Sequence, residues 1–207
     1  MNANEKKLII AARTMSLILS PFYLPIMGMI ALFLFSYLKM LPMVYKLQFL
    51  FATYIFTVLM PTMLIHYYRR YQGWPVFALV NRERRMIPYV ISIISYLTCF
   101  YLMQKIHLPH FMTSIIVTAL ILQVVCAIIN ISWKISTHTA GVGAFTGGLI
   151  AYSLIFNFNP VWWLSLLILL GGMVGSARMI LRIHTLSQVV GGYLIGMLTA
   201  FIVIILI

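Results

Sequence analysis

The chain is almost without acid. Glu5 and Glu83 are its only carboxylate side chains, and aspartate is absent altogether. Protein sites for magnesium and calcium are built from carboxylate oxygens, commonly in pairs where a substrate phosphate is bridged. That argues against aspartyl-phosphate chemistry, aspartate-rich prenyl transfer and carboxylate-paired hydrolysis. Cysteine is equally scarce: Cys99 and Cys126 stand alone in apolar runs, with no CxxC or Cys/His ligand spacing. They read as small packing residues rather than redox or metal groups. No metal and no cofactor is expected.

Charge of any kind is thin. Only 8% of the 207 residues are charged and 63% are hydrophobic, whereas an ordinary soluble chain is about a quarter charged. Charge-free runs separate Arg13 from Lys39, Lys46 from Arg69, Arg85 from Lys105, Lys105 from Lys134, and Arg182 from the C-terminus. Each is close to the roughly 17 to 25 residues of a spanning helix. The run from Lys134 to Arg178 is about twice as long, with Asn157-Phe158-Asn159-Pro160 as a turn signal in its middle. The expected fold is all-α, a polytopic bundle of six to seven transmembrane helices, with segments near 16–38, 47–67, 88–105, 111–132, 140–157, 161–177 and 189–207. Helices are required because a backbone in lipid must satisfy its hydrogen bonds within the segment. No polar stretch is long enough for a second domain, so residues 1–207 read as one membrane domain. Residues 1–15, with Lys6, Lys7 and Arg13 among apolar neighbours, read as a retained basic interfacial helix.

Three polar clusters interrupt the oil. They are Asn81-Arg82-Glu83-Arg84-Arg85 with Pro88, Ser136-Thr137-His138, and Arg178 with His184 six positions on. With seven spans, all three fall in loops on the face that holds the N-terminus. Histidine and arginine together can hold a phosphoryl group, attack it and protonate its leaving group. The isolated histidines His66, His107 and His110 read as interfacial or solvated tips. Trp74, Trp133, Trp162 and Trp163 read as an aromatic belt, and Gly147-Gly148, Gly171-Gly172 and Gly191-Gly192 as close helix contacts.

The order and spacing of these clusters resemble the type 2 phosphatidic acid phosphatase superfamily of integral-membrane lipid phosphatases, over residues 81–192. That family carries Lys, six residues, Arg-Pro; then Pro-Ser-Gly-His; then Ser-Arg, five residues, His, three residues, Asp. Here the third motif reads Ala177-Arg178, five residues, His184, three residues, Gln188. The second reads Ile135-Ser136-Thr137-His138, and the first is matched only by arginines and Pro88 at other spacing. The resemblance implies His184 as nucleophile, forming a phosphohistidine, and His138 as general acid and then base. Arg178 would clamp the phosphate oxygens, with Ser136, Thr137, Arg82 and Arg85 as further phosphate contacts and Arg84 as a rival to either arginine. Gln188 stands where the family has the aspartate that orients the nucleophile, and Glu83 is the carboxylate available to compensate.

The implied activity is metal-independent hydrolysis of a lipid phosphate or diphosphate. The alternatives are a catalytically altered lipid-binding or assembly protein of the same superfamily, and a lipid phosphotransferase. A transporter or channel would carry charge in mid-span, and no span does. The expected partners are a lipid phosphate and the bilayer, with no nucleic acid. The expected site is a bacterial cytoplasmic membrane. Lys39, Lys46 and Lys105 fall on one face and the other eleven of 14 basic residues on the motif face, which by the positive-inside rule would be cytoplasmic. Members of the resembling family work on the outer side, so both orientations stay open.

Overall fold

Residues 3–75, 83–106, 108 and 110–207 are described by a computed structural model. Among them the chain is helical, with no strand. The helices are α1 (Ala3–Ile18), α2 (Leu24–Phe35), α3 (Met43–Tyr54), α4 (Met60–Tyr71), α5 (Met86–Lys105), α6 (His110–Ser132), α7 (Thr137–Phe156), α8 (Val161–Ile180) and α9 (Leu186–Leu206). A π-helical turn, Ile55–Leu59, joins α3 to α4. Among the described residues, seven stretches are long and apolar enough to cross a membrane: Glu5–Leu34, Met43–Tyr71, Glu83–Lys105, His110–Ser132, Thr137–Phe156, Val161–Ile180 and Leu186–Leu206. The protein is an integral, multi-pass, helical membrane protein, as its composition implies.

The first span differs from expectation. The helix expected over residues 1–15 is present as α1, but the membrane-length apolar stretch starts at Glu5 rather than near 16, and it is broken between α1 and α2. The cause is local. Pro21 has no N–H to continue the α1 ladder, and a short 3-10 turn, Pro21–Tyr23, follows Ser20. The turn expected at 157–160 is present: Asn157 ends α7 in the left-handed region (φ 51°), and the Asn159 side-chain carbonyl accepts from the Val161 N–H at 3.0 Å at the start of α8.

Contacts divide the chain into two compact units. The first joins Met1–Leu24 to Trp133–Leu206 and so contains α1, α7, α8 and α9. Its tightest pairing is α7 on α9. A Cβ on Gly143 would fall on the Tyr193 carbonyl, one on Gly147 on the Met197 carbonyl, and one on Gly196 on the Ala140 carbonyl. Only glycine permits backbones this close, the small-residue solution used where lipid offers helices no hydrophobic drive to associate. Thr146 and Tyr193 add a hydroxyl–hydroxyl bond of 2.9 Å across the same seam. Helix α1 packs on α8, and Leu19, Val142 and Val174 form the core with Met15, Leu170 and Tyr193 around it.

The second unit spans Pro25–Ser132, where α5 pairs with α6. The Ser95 hydroxyl donates to the Phe56 carbonyl at 2.6 Å, inside the π-helical turn, where the widened ladder leaves carbonyls in need of donors. Cys99 and Cys126 are buried, free thiols, in keeping with a packing role.

The seam makes a stability test. Gly196→Ala forces α7 and α9 apart and should cost about 1–3 kcal/mol, read as a drop of several degrees in the melting temperature of detergent-solubilised protein. Gly172→Ala has open space around its Cβ and should leave that temperature unchanged or raise it, since alanine favours helix by about 1 kcal/mol.

Candidate functional site

Two helix starts and one helix end converge in the first unit. Ser136 caps α7: its extended backbone (φ −87°, ψ 102°) lets the side-chain oxygen accept from the Thr139 N–H at 3.5 Å. The Ser136 N–H in turn donates to the Gln188 backbone carbonyl at 3.3 Å, near the start of α9. Gly192 makes this approach possible, because a Cβ there would stand 2.7 Å from the Ser136 carbonyl and 2.8 Å from the Thr139 hydroxyl. Arg178 lies in the last turn of α8. The turn that leaves α8 carries His184 to the start of α9, with Arg182 in the left-handed region (φ 53°).

His184 is buried (6% exposed). Its Nδ1 lies 3.1 Å from Gln188 Oε1, and the same oxygen accepts from the Thr185 N–H at 3.3 Å. A backbone N–H can only donate, so the atom facing Thr185 must be the amide oxygen, and the His184 Nδ1 must be the donor. The neutral ring therefore carries its proton on Nδ1 and a lone pair on Nε2. Thr185 and Gln188 stand at the N-cap and third position of α9, the spacing of a capping box in which the glutamine reaches back to the cap N–H. One side chain thus starts the helix and sets the histidine tautomer.

His138 and Arg178 both bond Ser16 of helix α1. His138 Nε2 lies 3.1 Å from the Ser16 backbone carbonyl; a carbonyl only accepts, so this ring holds its proton on Nε2. Arg178, 7% exposed, donates from one terminal nitrogen to the Ser16 hydroxyl at 3.4 Å. Ser16 is the residue that the sequence alone does not flag. Its only signal there is a small polar side chain in an apolar run just ahead of Ser20-Pro21, where a helix must end.

The first cluster belongs to the second unit. Arg82 and Asn81 lie outside the described residues, as does His107. Glu83 is exposed in a 3-10 turn, Glu83–Arg85, and Arg85 is half-buried. Arg84 stacks its guanidinium on Trp74, 4.7 Å from the ring centroid, a cation–π contact that gives this arginine a partner of its own. His66 bonds Arg69 at 3.3 Å on exposed surface, a local tip as its position suggests. Within the first unit, His138, Arg178, His184, Ser136 and Gln188 are tied into one network through Ser16 and the α7–α9 contact. Thr137 opens α7 beside them, half-buried.

An all-helical, membrane-spanning chain with histidines and an arginine gathered at helix ends is the class of protein this arrangement defines. The family model for the PAP2 superfamily matches residues 104–207, and the chain belongs to that superfamily, a phosphatase family of membrane proteins. No curated protein and no solved structure gives a significant match. The matched half contains α7, α8 and α9 with His138, Arg178 and His184; the Asn81–Pro88 cluster and Ser16 lie outside it.

The two hydrogen bonds fix opposite tautomers, which is testable without an activity assay. In protein labelled with ¹⁵N-histidine, near pH 8 where imidazole is neutral, His184 should show Nδ1 protonated and His138 Nε2 protonated. The same tautomer on both rings would contradict one of the two bonds.

Proposed function

We propose that the protein is a metal-independent membrane phosphatase that hydrolyses a lipid phosphate or diphosphate through a phosphohistidine. The observation that carries this reading is the His184 ring, buried beside Arg178's helix end, whose Nδ1 donates to Gln188 Oε1 and so fixes the tautomer in which Nε2 is the nucleophilic nitrogen. In the first step Nε2 attacks phosphorus and the bond to the leaving oxygen breaks. His138, in its imidazolium form with Nε2–H kept on the Ser16 carbonyl, gives its Nδ1 proton to this oxygen as the lipid alcohol, or lipid monophosphate, departs and is left neutral. In the second step His138 takes a proton from water, water oxygen attacks phosphorus, the P–N bond breaks and inorganic phosphate leaves.

Charge on the phosphoryl oxygens is met by cations and helix starts. Arg178 is a charge-assisted donor, and the Ser136 hydroxyl proton and the first N–H groups of α7, beginning at Thr137, add weaker ones. The starts of α7 and α9 each carry partial positive charge, about half an elementary charge per helix. The resemblance also implies Arg82 and Arg85 as phosphate contacts and Glu83 as the carboxylate available to compensate for Gln188. A chain of net charge +12 also attracts anionic headgroups. The location that fits is a bacterial cytoplasmic membrane, with the motif loops on the N-terminal face.

The direct test is phosphate release from a panel of lipid phosphates and diphosphates by purified protein. His184→Ala should abolish release and the acid-labile label trapped from radioactive substrate, while EDTA should leave the wild-type rate within a few-fold. Trapping retained in the variant would move the nucleophile elsewhere, and a rate lost to EDTA and restored by magnesium would refute the metal-free mechanism. A wild-type protein that releases nothing from any substrate would favour the altered, lipid-binding member, for which Gln188 is the motivating feature.

Gln188 gives a second test. Gln188→Glu is isosteric, so its carboxylate can keep both bonds and add the negative charge that an imidazolium-forming step needs. Near pH 8 turnover should rise at least tenfold, bounded by the factor of about ten thousand lost when a triad carboxylate becomes an amide. An unchanged rate for Gln188→Glu, with a large loss in Glu83→Gln, would assign the charge partner to Glu83.

A further inference from the structure

Ser16 directly follows a segment whose basic, apolar pattern reads as a membrane-surface anchor, yet it is 7% exposed, with Ala12 (4%) buried on the same helix and Leu19 (6%) buried just past its end. Two turn features free its polar groups. Beyond Ser16 the ladder slips: the Ser20 N–H bonds the Leu17 carbonyl at 3.3 Å rather than the carbonyl four residues back, and the Ser16 carbonyl takes the His138 Nε2–H instead. The last carbonyls of any helix lack intrahelical donors, and the negative end of the helix dipole is where a cationic ring is favoured. The hydroxyl is turned outward as well. Thr14, two residues earlier, bonds its own helix at the Ile10 carbonyl, 3.0 Å away, the usual habit of a helical hydroxyl. The Ser16 hydroxyl accepts from Arg178.

We propose that Ser16, at the carboxyl end of α1, is a positioning residue of the phosphate site: its hydroxyl holds the Arg178 guanidinium and its carbonyl holds the His138 ring. Helix α1 is then a wall of the site as well as a membrane element. The two groups it touches are separated from it by 122 and 162 residues along the chain, so a single short helix fixes the acid and the clamp relative to each other. This rests on the phosphate-site reading above, and it assigns part of the site to a stretch that the family match does not cover.

Vanadate, a phosphate analogue that can take up five-coordinate geometry, probes the site without turnover. Binding to purified, detergent-solubilised protein would be measured by titration calorimetry, alongside thermal melting. Ser16→Ala should weaken vanadate about three- to tenfold, the worth of one ordinary net hydrogen bond, while the melting temperature stays within about two degrees. Thr14→Ala, on the same helix, should change neither. A Ser16→Ala affinity within twofold of wild type overturns the proposal, and so does a loss accompanied by a matching fall in melting temperature, which would make Ser16 a packing residue. Wild-type protein that binds no vanadate overturns the phosphate-site reading and this inference with it, whereas normal wild-type binding that Ser16→Ala leaves intact overturns this inference alone.

Discussion

The near-contact of the α7 and α9 backbones is the constraint on which the first unit depends. Gly143, Gly147 and Gly196 remove side chains from the seam, and the two helices then lie close enough for Gly192 to bring the start of α9 against Ser136. The glycines that look like membrane packing and the residues that look like chemistry are therefore one structural statement. If the seam opened by a methyl group, the Ser136–Gln188 backbone bond would lengthen, and the relation of His138 to His184 would go with it. Elsewhere the glycines do less: Gly171 faces the Tyr193 ring, Gly191 faces Trp133, and Gly172 faces open space.

A second constraint follows from the shortage of acid. A buried arginine and a buried histidine ordinarily find a carboxylate, because an uncompensated charge in a low-dielectric interior is costly. Here the charge of Arg178 meets a serine hydroxyl, His138 meets the carbonyl end of α1, and His184 meets a glutamine amide. On the proposed reading, the cationic groups gathered here suit a phosphate drawn from the membrane surface.

The fold was legible because lipid imposes it. Charge-free runs, the Asn157–Pro160 turn and the need to close backbone hydrogen bonds within a segment gave seven spans that the structure contains, to within a few residues at most ends. The Arg178-to-His184 spacing was legible because it is local, one turn between α8 and α9. Ser16 was not, because its partners lie far along the chain, and no periodicity within residues 1–15 distinguishes a helix that lies on a membrane from one that packs on α8. The first span starts earlier than its charge pattern suggests, at Glu5, and the break at Pro21 divides it into α1 and α2. Arg82 lies outside the described residues, and Arg85 and Glu83 belong to the second unit.

Gln188 shows why a substitution read from sequence as a loss can be a trade. At the third position of α9 the side chain must reach back to the Thr185 N–H, and glutamine spans that distance with one methylene more than aspartate. The same oxygen then accepts from His184 without adding charge. A neutral acceptor fixes the tautomer without favouring the protonated ring as a carboxylate would. A carboxylate would stabilise the ring once it becomes positive but would also favour its protonation at rest. On the proposed reading, the chain gains a well-capped helix and an available nucleophile and gives up stabilisation of the charged ring. The dipole of α9 sharpens that loss, because its positive end lies beside His184 and opposes positive charge there.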